Sequence, residues 1–255
     1  MNYLPTPQLS KFWSQFAIAC SISCSGLWFN GCAIALTANP ENPTNVPQNQ
    51  LTTQLALKFR LPSRGAPGPR DSAASRGDEN IIALIPGTNF GYTTQENPSL
   101  WVYFPYTTQE KVRFTLKNGE DEQVYQQELI LSGTPGIVEI SLPETFQLEV
   151  DQVYYWEFEV GLEAYGDADN PIIRGAIERV AMDDALKDKL AGKSEQEKLE
   201  IYAENSLWFD VLSGLISLRQ SNPEDEKNAS LWTSLLQQIG FEDLNKQPLL
   251  SVSDE

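Results

Sequence analysis

Carboxylates and arginines are the side chains with which this 255-residue chain could do chemistry. It has 35 Asp+Glu and 18 Lys+Arg, three cysteines and no histidine. Without an imidazole, Ser-His-Asp and Cys-His devices and every His-ligated metal site are excluded. Proton transfer is then left to carboxylates and lysines. A carboxylate pair flanking a glycosidic bond fits that inventory. Glu157, Glu159 and Glu163 sit on or just beyond an aromatic-rich segment whose rings could stack on sugar. The competing reading places Glu157 and Glu159 on a solvated strand face, and it is the one favoured here.

A second oxygen-rich group is Asp167-Ala168-Asp169-Asn170, with Glu178 eleven residues after Asp167. An EF-hand loop of that start needs an oxygen ligand at 171 and glycine at 172. Pro171 and Ile172 stand there instead. Asp167, Asp169 and Asn170 therefore read as an acidic turn, with a loose surface calcium site as the alternative. No cofactor is expected. Lys58, Arg60, Arg64, Arg70 and Arg76 form a basic island opposed only by Asp71, in a chain of net charge −17. It is either a loop laid over the acidic domain in cis or a docking site for an anionic partner. The G-x-x-x-x-G-K-[ST] phosphate cradle is missing. The acidic balance argues against nucleic acid, whose phosphates need clustered Lys and Arg.

Three zones follow an N-terminal address. Residues 1–38 carry the single charge Lys11 and the run FWSQFAIACSISCSGLWFNGCAIAL, then turn polar and Pro-rich. That order describes a signal peptide with cleavage after Ala35 or Ala38, or an uncleaved N-terminal anchor, about 20 apolar residues being enough to span a bilayer. Cys20, Cys24 and Cys32 all lie inside it, so a cleaved chain has no thiol chemistry. Residues 39–79 read as a Pro/Gly/Arg-containing linker or long loop.

Residues 80–182 read as strands: seven β-branched and aromatic runs at 81–86, 99–106, 111–117, 123–131, 136–143, 152–160 and 172–180, separated by turn clusters. In 152–160, Tyr154, Trp156, Phe158 and Val160 alternate with Val153, Tyr155, Glu157 and Glu159, so the aromatic set should face the core. Tyr154, six residues after Leu148, resembles the tyrosine corner of immunoglobulin-like and fibronectin-like sandwiches, in which the phenol bonds back to upstream backbone. The expected fold is α+β, an antiparallel β-sandwich followed by a short helical subdomain at 183–255. Ser194-Glu195-Gln196-Glu197 is a capping box. Pro223 breaks the helices and Gly240 ends the last one. Trp208 and Trp232 are the helix-packing anchors.

Tyr202, Trp208, Val211, Leu215, Leu218 and Pro223 resemble a tetratricopeptide repeat in spacing, with Leu199 and Val211 departing from its small residues. One and a half such units cannot bury a core alone, so this tail must pack on the sandwich or on another protein. Several further segments together resemble a cyanobacterial family of domains of unknown function, numbered nine hundred and twenty-eight. They include Phe59, Pro62, Gly65, Pro67, Ser75-Arg76-Gly77, Leu100 to Tyr106, Asn170-Pro171, Ile201 to Asn205, Leu207 to Asp210 and Asn222-Pro223. Leu61 stands where a proline is expected and Ser206 where glycine is. The resemblance implies export and a cyanobacterial source, and no activity. The resulting expectation is an exported, non-catalytic interaction or scaffold protein of the periplasm or envelope (the thylakoid lumen is a further option). Its partner would be another envelope protein, and its only membrane contact an uncleaved N-terminal segment. A carbohydrate-binding or carboxylate-dependent carbohydrate-active module is the alternative.

Overall fold

The structure, a computed structural model, describes residues 57–71, 80–107, 109–161 and 170–250. Residues 1–38, expected to be a signal peptide or anchor, and Arg76, Glu163, Asp167 and Asp169 lie outside the described residues.

The described chain is mixed α+β. Its strands are β1 (Ile82–Ala83), β2 (Phe90–Thr93), β3 (Ser99–Phe104), β4 (Lys111–Lys117), β5 (Gln123–Ile130), β6 (Gly136–Ser141), β7 (Val153–Gly161), β8 (Ile172–Arg179) and β9 (Leu249–Leu250). Between β8 and β9 come α1 (Asp184–Leu190), α2 (Glu195–Glu204), α3 (Trp208–Ser221), α4 (Glu226–Ile239) and a short 3-10 turn at Glu242–Lys246. The strands form a four-stranded sheet, β1-β3-β6-β9, and a five-stranded sheet, β2-β8-β7-β4-β5.

All seven apolar runs read from the sequence contain a strand. The expectation of purely antiparallel sheets is corrected at two edges: β2 pairs parallel with β8, and β9 parallel with β6. A tight turn forces antiparallel pairing, but a long connection does not. β2 reaches β8 only after five intervening strands, and β9 arrives only after all four helices. Both are too short to give a run of their own, which is why periodicity did not mark them.

In β7 the alternation holds: Tyr154, Trp156, Phe158 and Val160 are buried, and Tyr155 faces out. The Trp156 indole packs against β8 at Gly175, where a Cβ would stand 2.2 Å from its Cζ2. Only glycine leaves room for that ring. One hydrophobic cluster runs from these strands through β3, β4 and β6 into α3 and α4. The helical tail therefore completes its core on the sheets, one of the two options its length allowed. Trp208 is fully buried and its Nε1 donates to Leu84 O at 2.9 Å. Trp232 is fully buried beneath Arg219, whose guanidinium lies 4.6 Å from its ring.

The helix signals are local and legible. Ser194 caps α2 in a reciprocal box with Glu197. Hydrogen bonds from the Ser194 backbone and side chain, then Lys193, pull the Glu197 carboxyl down to about 2. Gly240 takes the left-handed conformation (φ 78°) that ends α4. The apolar stretch 198–220 does not run as one helix. It breaks at Asn205–Leu207, where Ser206 has a φ of 63°, and α3 then starts against β2.

Candidate functional site

The outer face of the five-stranded sheet carries Glu157 and Glu159, the carboxylates weighed from the sequence as a catalytic pair. Cross-strand register sets Glu157 opposite Arg174 and Glu159 opposite Arg113. Each carboxylate is engaged by its arginine: Glu157 Oε2 accepts from Arg174 Nε at 2.5 Å, and Glu159 Oε2 from Arg113 Nη1 at 2.9 Å. Arg113 also approaches Glu128 at 3.8 Å. Asn170, the one described member of the calcium-loop candidate, donates to Glu159 Oε1 at 3.1 Å. The sequence placed Glu157 and Glu159 correctly on the outer face, and the structure brings arginines to them. No group of three or more potential ligands among the described residues could hold a metal ion.

The basic island is a strap. From residue 57 to 71 the chain crosses from the helices to the sheets, held at nearly every step. Leu57 is only 2% exposed. The side-chain amide of Gln238, on α4, grips the backbone on either side of Lys58: Oε1 accepts from Phe59 N–H at 3.0 Å and Nε2 donates to Leu57 O. The Phe59 ring meets Trp208 edge-on at 5.0 Å. Arg60 N–H donates to Ala203 O at 3.0 Å, near the end of α2.

Further along, Arg64 bonds Glu178 at 2.5 Å and lies over the Phe90 ring. Ala66 N–H donates to Thr88 O at 3.0 Å, and Arg174 N–H to Pro69 O at 2.7 Å. Arg70 Nη1 donates to Ile239 O at 2.9 Å and to Ile85 O at 3.1 Å, and its guanidinium sits over Phe241. Of the four arginines singled out as partner-binding candidates, Arg70 turns inward and is half-buried, whereas Arg64 reaches the buried Glu178 with about half of its own side chain exposed. Arg60 is exposed, while its backbone is tied to α2. Arg76 lies outside the described residues.

The Tyr154 phenol oxygen accepts from Glu149 N–H at 3.2 Å, a backbone group five residues upstream. Arg179 reinforces that corner by donating to Leu148 O at 2.7 Å and to Glu96 at 2.7 Å.

The family model described as Domain of Unknown Function (DUF928) matches residues 62–249. The chain belongs to the DUF928 family. No curated protein matches it. The match takes in the strap from Pro62 onward, both sheets and all four helices, and leaves Leu57–Leu61 ahead of it.

Two side chains of this DUF928 chain escaped sequence reasoning. Gln238 sits in an ordinary helical run and nothing in its neighbours marks it. Asp210 did leave a signal, an acid at a core-facing position of the apolar segment LWFDVL. It is 3% exposed. Its oxygens accept from Thr94 N–H at 3.0 Å and from Thr94 Oγ1 at 2.5 Å, tying α3 to the end of β2. Burial pushes its carboxyl above the usual aspartate range, against the hydrogen bonds from Thr94 and Thr93 that pull it down. The Tyr202 phenol nearby is pushed up by its own burial and then by the Asp210 charge.

Proposed function

We propose that this DUF928 protein is an exported, non-catalytic interaction module of the cell envelope. In this reading its two sheets stack as an immunoglobulin- or fibronectin-like sandwich around a tyrosine corner at Tyr154, and its helical end is the working surface. The observation that carries the reading is the Gln238 grip on Leu57 and Phe59. A side-chain amide that pairs with both a backbone N–H and a backbone C=O recognises an extended segment as a segment, as sheet-edge recognition does. The cross-strand pairing of Glu157 and Glu159 with arginines supports a structural role for those acids. Export is supported by Lys11 followed by an apolar run and a polar, Pro-rich stretch. Among the described residues no helix is long and apolar enough to cross a membrane.

Two measurements test this. Mass spectrometry of the secreted product should find an N-terminus after Ala35 or Ala38. Cross-linking of the full chain in a periplasmic extract should capture the same envelope protein reproducibly. A turnover that survives purification and is lost on neutralising one acidic side chain would sink the reading.

A further inference from the structure

We infer that the helical end is a binding groove for an extended segment of alternating apolar and basic residues, filled in cis by Leu57-Lys58-Phe59-Arg60 and open to a segment of the same chemistry in trans. This rests on reading the chain as an interaction module.

The alternation is visible side chain by side chain. Leu57 is buried and Phe59 packs on Trp208, while Lys58 and Arg60 are exposed. That is the period of an extended chain with one face docked. Affinity that comes from backbone groups does not depend on which residues supply them: Gln238 binds Leu57 O and Phe59 N–H, and Ala203 O binds Arg60 N–H. Specificity would come from the two inward positions and from charge. The exposed positions of the segment are cationic in a chain of net charge −17. Glu204, beside the Ala203 carbonyl that receives Arg60, is exposed.

The inference requires that the segment leave while the rest of the strap stays in place. Beyond the segment, Arg64 holds the following residues to Glu178 and Arg70 holds them to Ile85, with a second bond to Ile239 O beside Gln238 on α4. Leu61 between the two parts is 56% exposed. A tethered ligand competes at an effective concentration of roughly millimolar. A trans segment should therefore bind the native chain weakly, and much better once the cis residues are weakened.

The test uses the full chain carrying Leu57→Ala and Phe59→Ala, and a fluorescein-labelled peptide of residues 54–62 read by anisotropy. Saturable binding at least about tenfold tighter than to the wild type is expected, as cis competition requires. Adding Gln238→Ala, or replacing both inward peptide positions by serine, should each weaken it about tenfold or more, the cost of losing a hydrogen-bonded or apolar anchor. A dimer of the weakened chain with the wild type, dissolved by the peptide, is the same site filled by a second copy and also supports the inference. If the double variant does not melt cooperatively, Leu57→Ala alone replaces it. No saturable binding to a variant that melts cooperatively, or binding indifferent to Gln238, overturns the inference. Should the peptide fail while an envelope protein is still captured by cross-linking, the interaction reading stands and the groove is not its site.

Discussion

Asp210 is the position at which charge, burial and stability can be separated by experiment. Its carboxylate meets hydroxyls and a backbone N–H but no cation, and desolvation outweighs those hydrogen bonds in setting its titration. Replacing it by alanine strips two acceptors from Thr94. Leaving a donor unsatisfied costs about 1–3 kcal/mol each, and relief of the desolvated charge offsets part of that sum. A net loss of about 2–4 kcal/mol is expected for Asp210→Ala. Asparagine keeps an acceptor for Thr94 N–H, and the Thr94 hydroxyl can turn to accept from the new amide. Asp210→Asn should therefore stay within about 1 kcal/mol of the wild type at pH 7, because it trades the stronger bonds to a charged group for freedom from desolvating it.

The pH dependence fixes the sign. A carboxyl whose folded pKa is raised binds its proton more tightly in the folded state. Its stabilising contribution is complete below the unfolded value of about 3.9 and is lost as pH rises through the folded value. The asparagine variant has no such loss. Its stability relative to the wild type should climb as pH rises through that window, by about 1.4 kcal/mol for each unit by which the folded pKa is raised. Urea unfolding followed by tryptophan fluorescence measures this, with Trp208 two residues away as reporter. Subtracting the two curves removes the titration of every other carboxylate. A difference, variant minus wild type, that stays constant or falls with rising pH would refute the claim that burial dominates at this site.

Three further outcomes are expected. Gly175→Ala drives a methyl into the Trp156 ring at 2.2 Å and should cost about 3 kcal/mol or prevent folding. Gly87→Ala, where nothing lies within 4 Å, is the neutral control in the same melts. Tyr154→Phe leaves Glu149 N–H without its acceptor and should lower stability by about 1 kcal/mol in urea titrations. Arg70→Met removes two bonds to carbonyls and the contact with Phe241, for about 2–4 kcal/mol. Because its acceptors are uncharged backbone, the loss should be nearly the same in low and high salt. The Arg64–Glu178 pair, whose arginine is half exposed, should respond to Arg64→Met by about 1 kcal/mol and should fade with salt.

What the sequence revealed and what it hid divide along the range of the interactions. Period-2 alternation and turn residues are local, so the six long strands and the short β1 beside them, the Ser194 cap, the Gly240 stop and the inward face of β7 could be read directly. Tyr154 was legible because its acceptor role spans only a few residues. β2 and β9 were not, since they are defined by partners far away in the chain, Ala176–Arg179 and Ile137–Val138. Gln238 was invisible for the same reason: its importance is the position of residues 57 and 59, almost the whole domain away. Asp210 is the intermediate case. Its neighbours announced a buried acid, but only the fold supplies Thr94.

The arginines show how an acidic chain can carry a basic segment without its becoming a general anion trap. Two of them, Arg64 and Arg70, spend their donors on acceptors inside the protein, and Arg113 and Arg174 do the same across strands. Salt would weaken Arg64 but leave Arg70 and the backbone bonds of Ala66 and Arg174 in place, so residues 62–71 stay fixed over a wide range of ionic strength. Residues 57–60 are different. They are held by neutral contacts, an amide grip, one carbonyl and two apolar side chains, with Lys58 and Arg60 facing solvent. Ionic strength alone should not release them; a competing segment that offers the same backbone and two apolar anchors should. The physical division of the strap at Leu61 thus separates a fixed half from an exchangeable half, and hydrogen exchange can read that division. The Ala66 amide should exchange no faster in the presence of excess peptide, whereas the Phe59 and Arg60 amides should exchange markedly faster. Equal acceleration of all three would mean that the strap opens as one unit and that the groove has no ligand separable from the fold.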